Sequence, residues 1–357
     1  MEGNPKPFNS GRASFSLLIV ICVILIGAVL KIASAVILPF IIAVLLAFVM
    51  YPMVRWLDNR KIPHFVSIFL VVIILLTGLS VVGMVFFTTG SNILATYPKY
   101  ENRITNIYIW AAQFFELPYD ESLSLWENIW SQLGIRSWVR GFAFSFSNIF
   151  LKFISNAVLV ILFIVFLLME AGFFKEKLTT AFGSRSERIS RIGVDLMSQV
   201  TQYLTAKFIM SFINGIIFVV AFSVMRLEFA ILWGIIQFIL NFIPALGSIV
   251  AGVGISLFAL IQYWPDPGPI IIVVIIVLGA NMICNILDPK IVGDRVGISP
   301  FIVLVSLGLW GWLWGFAGMI LAVPMTVIVK IICENVPILE PLSIMIGSRR
   351  SVKHFRE

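Results

Sequence analysis

Residues 237–250 read QFILNFIPALGSIV, and they interrupt a charge-free stretch that runs from 229 to 265. A membrane helix needs about 20 residues to cross a hydrocarbon core ~30 Å thick. The stretch is too long for one crossing and short for two, and Asn241, Pro244 and Gly247 stand near its middle. A proline inside a helix removes a backbone hydrogen bond and costs ~3 kcal/mol or more. Freed backbone groups at membrane depth are tolerated only inside protein or beside water. The stretch is therefore expected to fold back as a re-entrant helical hairpin with its tip at 241–248.

The composition sets the frame for that reading. The chain is 60% hydrophobic and 12% charged, against about 25% charged residues in soluble domains. Its apolar residues fall in long blocks, so the expected fold class is all-α and polytopic, with the lipid bilayer as a partner. A β-barrel is excluded because alternating ten-residue strands are absent. The net charge of +7 is scattered over loops and ends, which points to the positive-inside rule rather than to nucleic acid. Cys22, Cys284 and Cys333 all lie in apolar runs. An odd count without tight spacing excludes a disulfide framework and a cysteine metal site, and no cofactor or metal is expected. Ala33-Ser34-Ala35 resembles a signal-peptidase site, but another apolar segment follows at once, so the first run is expected to be retained.

Six full spans are expected at 15–30, 35–54, 65–90, 148–170, 205–225 and 269–287. Two longer stretches, 229–265 and 296–329, are expected to be re-entrant hairpins, making eight hydrophobic segments. With both termini cytoplasmic, most of the 25 Lys and Arg residues fall on the inner side, among them Arg55, Arg60, Lys61, Lys175, Lys177, Lys290 and Arg295. The first hairpin then enters from outside and the second from inside. Residues 205–265 and 269–329 become an inverted repeat, the arrangement in which many transporters hold a solute near the midplane.

The expected organisation is a three-span scaffold at 1–90 and an extracytoplasmic amphipathic segment at 91–147. A fourth span and a cytoplasmic amphipathic helix follow at 148–204, then a transport core at 205–340 and a basic tail at 341–357. In the second segment Ile104, Ile107, Ala111 and Phe114 recur at helical spacing, as do Leu123, Trp126, Ile129, Trp130 and Leu133. These stripes suit helices lying on the interface or packing together. Ile189, Ile192, Leu196, Val200 and Leu204 make a similar stripe on the inner side.

Polar groups within spans are costly and mark function. Asn281, Asn285 and Asp288 share one helical face, and Lys207, Ser211 and Asn214 repeat that spacing on the equivalent helix of the other repeat. Both faces are expected to line a polar pathway, with Lys207 snorkelling and Asp288 capping near the interface. The tip carrying Asn241, Pro244 and Gly247 is expected to be buried against the other repeat. In LGLWGWLWGFAGMILAVP at 307–324, Gly308, Gly311, Gly315, Gly318 and Pro324 are the expected hinge of the second hairpin. Trp310, Trp312 and Trp314 would form a wall. Glu170 and Asp288 are candidate groups for coupling to H⁺ or Na⁺, and both lie near the cytoplasmic edge.

NFIPALGS at 241–248 and ILDPKIVGDRVGISPFIVLVSLGLWGWLWGFAGMILAVP at 286–324 resemble the autoinducer-2 exporter family, the PerM-type permeases. The matching features are Pro244 with Gly247, Pro289 with Gly293, Pro300, the glycines from Gly308 to Gly318, and Ala322-Val323-Pro324. The tryptophan-rich WGWLWG looks closest to the quorum-signal exporter branch. ILPFIIAVLLAFVMYPMV at 37–54 resembles the family's second span. The resemblance implies a homo-oligomeric exporter of a small polar signal molecule in the bacterial inner membrane. Some relatives exchange Na⁺ or Li⁺ for protons. A channel-like or structural oligomer is the reading from another class.

An enzyme is not expected. Neither HExxH nor GxSxG occurs, and the only histidines, His64 and His354, lie in loops. No GxxxxGK[ST] is present, so ATP hydrolysis by this chain is not expected to drive transport.

Overall fold

The computed structural model describes residues 10–114, 156–171, 174–183, 186–288, 297–336 and 339–347. Among the described residues the secondary structure is helical apart from one isolated antiparallel bridge between Ile298 and Gly347. The helices are α1 (Ser10–Ile32), α2 (Ser34–Asp58) and α3 (His64–Phe114), with α4 covering Asn156–Ala171. There follow α5 (Phe174–Phe182), α6 (Ser186–Val224), α7 (Ala230–Leu240), α8 (Leu246–Tyr263), α9 (Pro267–Asp288), α10 (Pro300–Asn335) and α11 (Glu340–Ile346). Proline opens α9 and α10, where its missing N–H is one the first turn leaves unbonded in any case.

Among the described residues five helices are long and apolar enough to cross a membrane: Ser34–Asp58, His64–Gly90, Ser190–Val224, Leu246–Tyr263 and Pro300–Asn335. The last reaches its length as two arms. Trp314 (φ −128°, ψ 15°) and Gly315 (φ 61°, ψ −139°) break the helical path inside α10. A Cβ on Gly318 would lie 1.9 Å from the carbonyl oxygen of Trp310. Eight residues of straight helix span about 12 Å, so the chain reverses at 314–315.

The first long stretch reverses as well. α7 and α8 are joined by 241–245, and a Cβ on Gly247 would lie 1.7 Å from the carbonyl oxygen of Leu240. Both reversals occur where the sequence concentrates glycine, proline and polar residues.

Packing joins the two hairpins to the rest. Ala43, Ala47 and Val54 of α2 bury against Ile68 and Val71 of α3 and Ile164 and Leu168 of α4. Another side of α2 contributes Leu45 to a cluster with Val200 and Tyr203 of α6 and Leu321 and Val327 of α10. Ile243, at the first hairpin tip, packs with Trp310, Leu313 and Trp314 at the second. The two tips therefore meet.

Three features differ from the sequence expectations. First, α1 passes into α2 through Ala33 alone, at φ −83° and ψ 11°. The bonds Ala33 N–H to Val29 O and Ile37 N–H to Ala33 O flank it. One residue with so small a departure from helical dihedrals bends a helix but does not reverse it, so α1 and α2 are not the antiparallel pair expected. Second, α3 runs unbroken past Gly90 to Phe114, roughly 36 Å of added helix. It is a continuation of a span, not a separate helix laid on the interface. Third, the helix with the apolar stripe at 189–204, expected to lead into the span at 205–225 as a separate element, is continuous with it in one helix, α6. The stripe at 123–133 lies outside the described residues.

Candidate functional site

The residues that connect α7 to α8 leave the helical path because Pro244 has no N–H to offer and Ala245 adopts φ 59°, ψ −55°. A short turn replaces the ladder, with Gly247 N–H bonded to Ile243 O at 3.1 Å. This brings polar side chains from four helices to one place. Asn241 Nδ2 donates to Ser211 Oγ of α6 at 3.0 Å. Ser248 Oγ of α8 donates to Asn241 Oδ1 at 3.5 Å. Asn281 Nδ2 of α9 donates to the Ser248 carbonyl at 3.4 Å, and Gln237 Nε2 of α7 donates to Asn281 Oδ1 at 2.9 Å.

Asn214 completes the polar face of α6. Phe218 of α6 and Val277 of α9 share a buried cluster, and one turn further along each helix, toward the hairpin tip, come Asn214 and Asn281. Asn214 and Gln237 are 0% exposed and Asn241 is 3% exposed. Both amide atoms of Asn214 and Oε1 of Gln237 find no hydrogen-bond partner among the described residues.

Magnitudes decide how to read this cluster. An interhelical hydrogen bond in a membrane contributes about 0.6 kcal/mol on average. A buried polar group left unpaired costs roughly 1–3 kcal/mol. The four bonds do not offset three orphaned atoms, so the cluster is a poor stabiliser. Its donors and acceptors are better suited to a polar solute.

The structure thus brings together Ser211, Asn214, Asn241 and Asn281, with Pro244 and Gly247 shaping the turn beside them. Gln237 escaped the sequence reading. Its spacing of four from Asn241, on the same helical face, was the available signal. Lys207 is 5% exposed, which corrects the expectation that it snorkels to the interface. α6 continues well beyond it toward Ser186, and there Val200 and Tyr203 pack on α2 and α10. Asn285 and Asp288 close α9, and their side chains lie outside the described residues. Glu170 is exposed, pairs with Lys177 and lies apart from the cluster.

At the second hairpin Gly315 takes the left-handed turn, while Gly318 and Gly311 permit the close return of the chain, Gly311 against Met319. Gly308 faces open space and Pro324 is buried within the returning arm. Trp310 and Trp314 pack on one another, with ring centroids 5.0 Å apart, and Trp314 Nε1 donates to Leu30 O at 3.1 Å. Trp312 is exposed beneath the Lys31 ammonium, 4.1 Å from its ring centre. A close helix crossing was not anticipated: a Cβ on Gly234 of α7 would lie 2.8 Å from Gly215 O of α6.

The profile of AI-2E family transporters matches residues 18–338. A protein of Borreliella burgdorferi, provisionally named a transport protein, is 32% identical over 92% of this chain and 89% of its own length. A similarly named protein of Haemophilus influenzae is 30% identical over 95% of this chain and 97% of its own length. The AI-2 transport protein TqsA of Escherichia coli (strain K12) is 27% identical over 86% of this chain and 88% of its own length. With the match running through nearly all of its spans, both hairpins and the polar cluster, the chain belongs to the AI-2E family of membrane transporters.

Proposed function

We propose that this chain is a secondary transporter that exports a small polar signal molecule, such as autoinducer-2, across the bacterial inner membrane by alternating access. The observation that carries the reading is the buried cluster of Ser211, Asn214, Gln237, Asn241, Ser248 and Asn281 beside the meeting hairpin tips. Uncharged donors and acceptors, several of them unpaired, suit a neutral solute that both gives and receives hydrogen bonds. The likeness to TqsA, an AI-2 transport protein, supports autoinducer-2 as the first solute to try.

In this reading the hairpins are re-entrant and enter from opposite faces, so α6 with the first hairpin and α9 with the second form an inverted repeat. The turn carrying Arg60 and Lys61 and the C-terminus are cytoplasmic, and the protein works as a homo-oligomer. Interrupted helices at the centre of such repeats are where transporters hold solutes. Exchange of Na⁺ for H⁺ would require a titrating group on the pathway. Glu170, the described candidate, stands outside the cluster.

Counterflow of labelled autoinducer-2 in proteoliposomes tests the proposal. The native chain is expected to support it, and Asn241→Ala and Asn281→Ala to lower the rate about tenfold, the effect of losing one polar contact of ~1.4 kcal/mol. Native flux in both variants would remove the cluster from the pathway. No flux of any tested polar solute in the native protein would favour a structural role.

A further inference from the structure

At the end of the first hairpin opposite its tip, four elements meet. Glu228 sits in the link between α6 and α7, and its carboxylate accepts hydrogen bonds from Lys99 Nζ and Tyr100 OH on the continuation of α3. Arg103, one turn further along α3, donates to the carbonyl of Gln262 near the end of α8. The Glu228 N–H donates to Gln262 Oε1 at 2.7 Å, and Gln262 Nε2 donates to Arg226 O at 2.9 Å. Tyr263 OH donates to Met225 O at 2.8 Å. The Tyr100 ring lies against Phe258, centroids 5.7 Å apart, and Trp110 packs edge-on to Trp264 at 5.0 Å.

Two independent features mark this clasp as more than a loop contact. Arg226 and Phe229 flank Glu228 in left-handed backbone, with φ of 58° and 60°. L-residues with side chains adopt that conformation at a steric cost, and it persists where surrounding contacts over-determine it. The base of the second hairpin is held differently. There Ser299 N–H bonds Ile346 O at 3.0 Å beside the Ile298–Gly347 bridge, backbone to backbone. The first hairpin is tied instead by charged and hydroxyl side chains, which can be exchanged for water one at a time.

The clasp is also mechanically connected to the polar cluster. α7 runs from beside Glu228 to Leu240, roughly 16 Å of rigid helix, and carries Gln237 and leads into Asn241. Gly234, midway along it, touches α6 at Gly215. Rotation about that contact swings the base and the tip of the hairpin in opposite directions.

We propose that Glu228 is a positioning residue, the hub of a latch in which Lys99, Tyr100 and Arg103 tie the first hairpin to α3. The latch keeps Gln237, Asn241 and Ser248 packed against α6 and α9, and its release lets the hairpin tilt and open the cluster. The proposal deepens the transport reading, because it assigns the movement that would expose the solute. Its test uses no solute, so the two can fail separately.

The test is thiol labelling in lipid nanodiscs, with Ser248→Cys placed in a chain carrying Cys22→Ser and Cys284→Ser. Native Cys333, buried near the end of α10, is kept as the control for general loosening. Labelling of the thiol introduced at 248 by a small maleimide is followed by mass spectrometry. Adding Glu228→Gln is expected to raise that rate about tenfold, since labelling follows the population of the open form. Lys99→Met, a change at an exposed side chain, is expected to raise it in the same direction, and Cys333 is expected to stay unlabelled in both. An unchanged rate at 248 in both variants overturns the latch. A parallel rise at Cys333 also overturns it, since that is loosening of the whole bundle.

Discussion

Asn241 and Ser211 are joined side chain to side chain across 3.0 Å, which fastens the tip of the first hairpin to the middle of α6. Thirty residues separate them in sequence, and the bond is buried. A double-mutant cycle of Asn241→Ala and Ser211→Ala, followed by unfolding in micelles, is expected to give a coupling of about 0.6 kcal/mol and no more than ~1.7 kcal/mol. A coupling of zero would mean that the two side chains are not partners in the folded protein.

Asn214 separates a binding role from a structural one. Its amide is fully buried and unpaired among the described residues. Replacing a group that pays desolvation without bonding by an apolar one of similar shape is neutral or stabilising. Asn214→Leu is therefore expected to leave the thermal midpoint unchanged or raised, while counterflow falls about tenfold, equivalent to ~1.4 kcal/mol. Loss of stability with retained flux would identify Asn214 as packing.

Gly308 and Gly318 make a matched pair within α10. A Cβ at Gly318 would strike the backbone of Trp310 at 1.9 Å, and one at Gly308 would meet nothing within 4 Å. Gly318→Ala is expected to destabilise by about 1–3 kcal/mol, whereas Gly308→Ala should gain roughly 0.5–1 kcal/mol from helix propensity. Thermal unfolding of the two variants in the same detergent provides the comparison. Equal effects would contradict the tight return of the chain at 314–315.

The clasp carries a pH signature. Burial alone would raise the Glu228 carboxyl, but hydrogen bonds from Lys99 and Tyr100 and the positive charges of Lys99 and Arg103 hold it below its ordinary value of 4.5. Burial and the bond to Glu228 push the Tyr100 phenol well above the usual tyrosine range, so it stays protonated. A carboxyl lowered in the folded state contributes stability that is complete above its unfolded value and lost as pH falls through the folded one. Accessibility at 248 should thus stay low from pH 8 to about 4.5 and rise below it. In Glu228→Gln that acid step should vanish.

Much of this fold was legible because the bilayer constrains sequence strongly. Both hairpins were readable where Asn241, Pro244 and Gly315 interrupt apolar runs of awkward length. Ser211, Asn214, Asn241 and Asn281 were readable as a set because polar side chains in a hydrocarbon environment are rare and face protein. The bend at Ala33 was not readable. A peptidase-like Ala-Ser-Ala between two apolar runs suits a reversal and a kinked helix equally, and only the dihedrals of one residue separate them. The unbroken α3 was hidden because Gly90 and the polar residues after it mark a change of surroundings without breaking the helix.

By itself, then, the sequence determined the class of solvent, the places where helices must break and the polar groups that must be sheltered. Each of these follows from local composition and spacing measured against a membrane. Tertiary structure alone decided which of those groups meet. It placed Gln237 beside Asn281, left Asn214 without a partner among the described residues, buried Lys207 and set Lys99, Tyr100 and Arg103 of α3 on Glu228 and Gln262. Such pairings depend on helix rotation and crossing, and these are set by close-packing at contacts such as Gly215 against Gly234. No periodicity within a single segment encodes them.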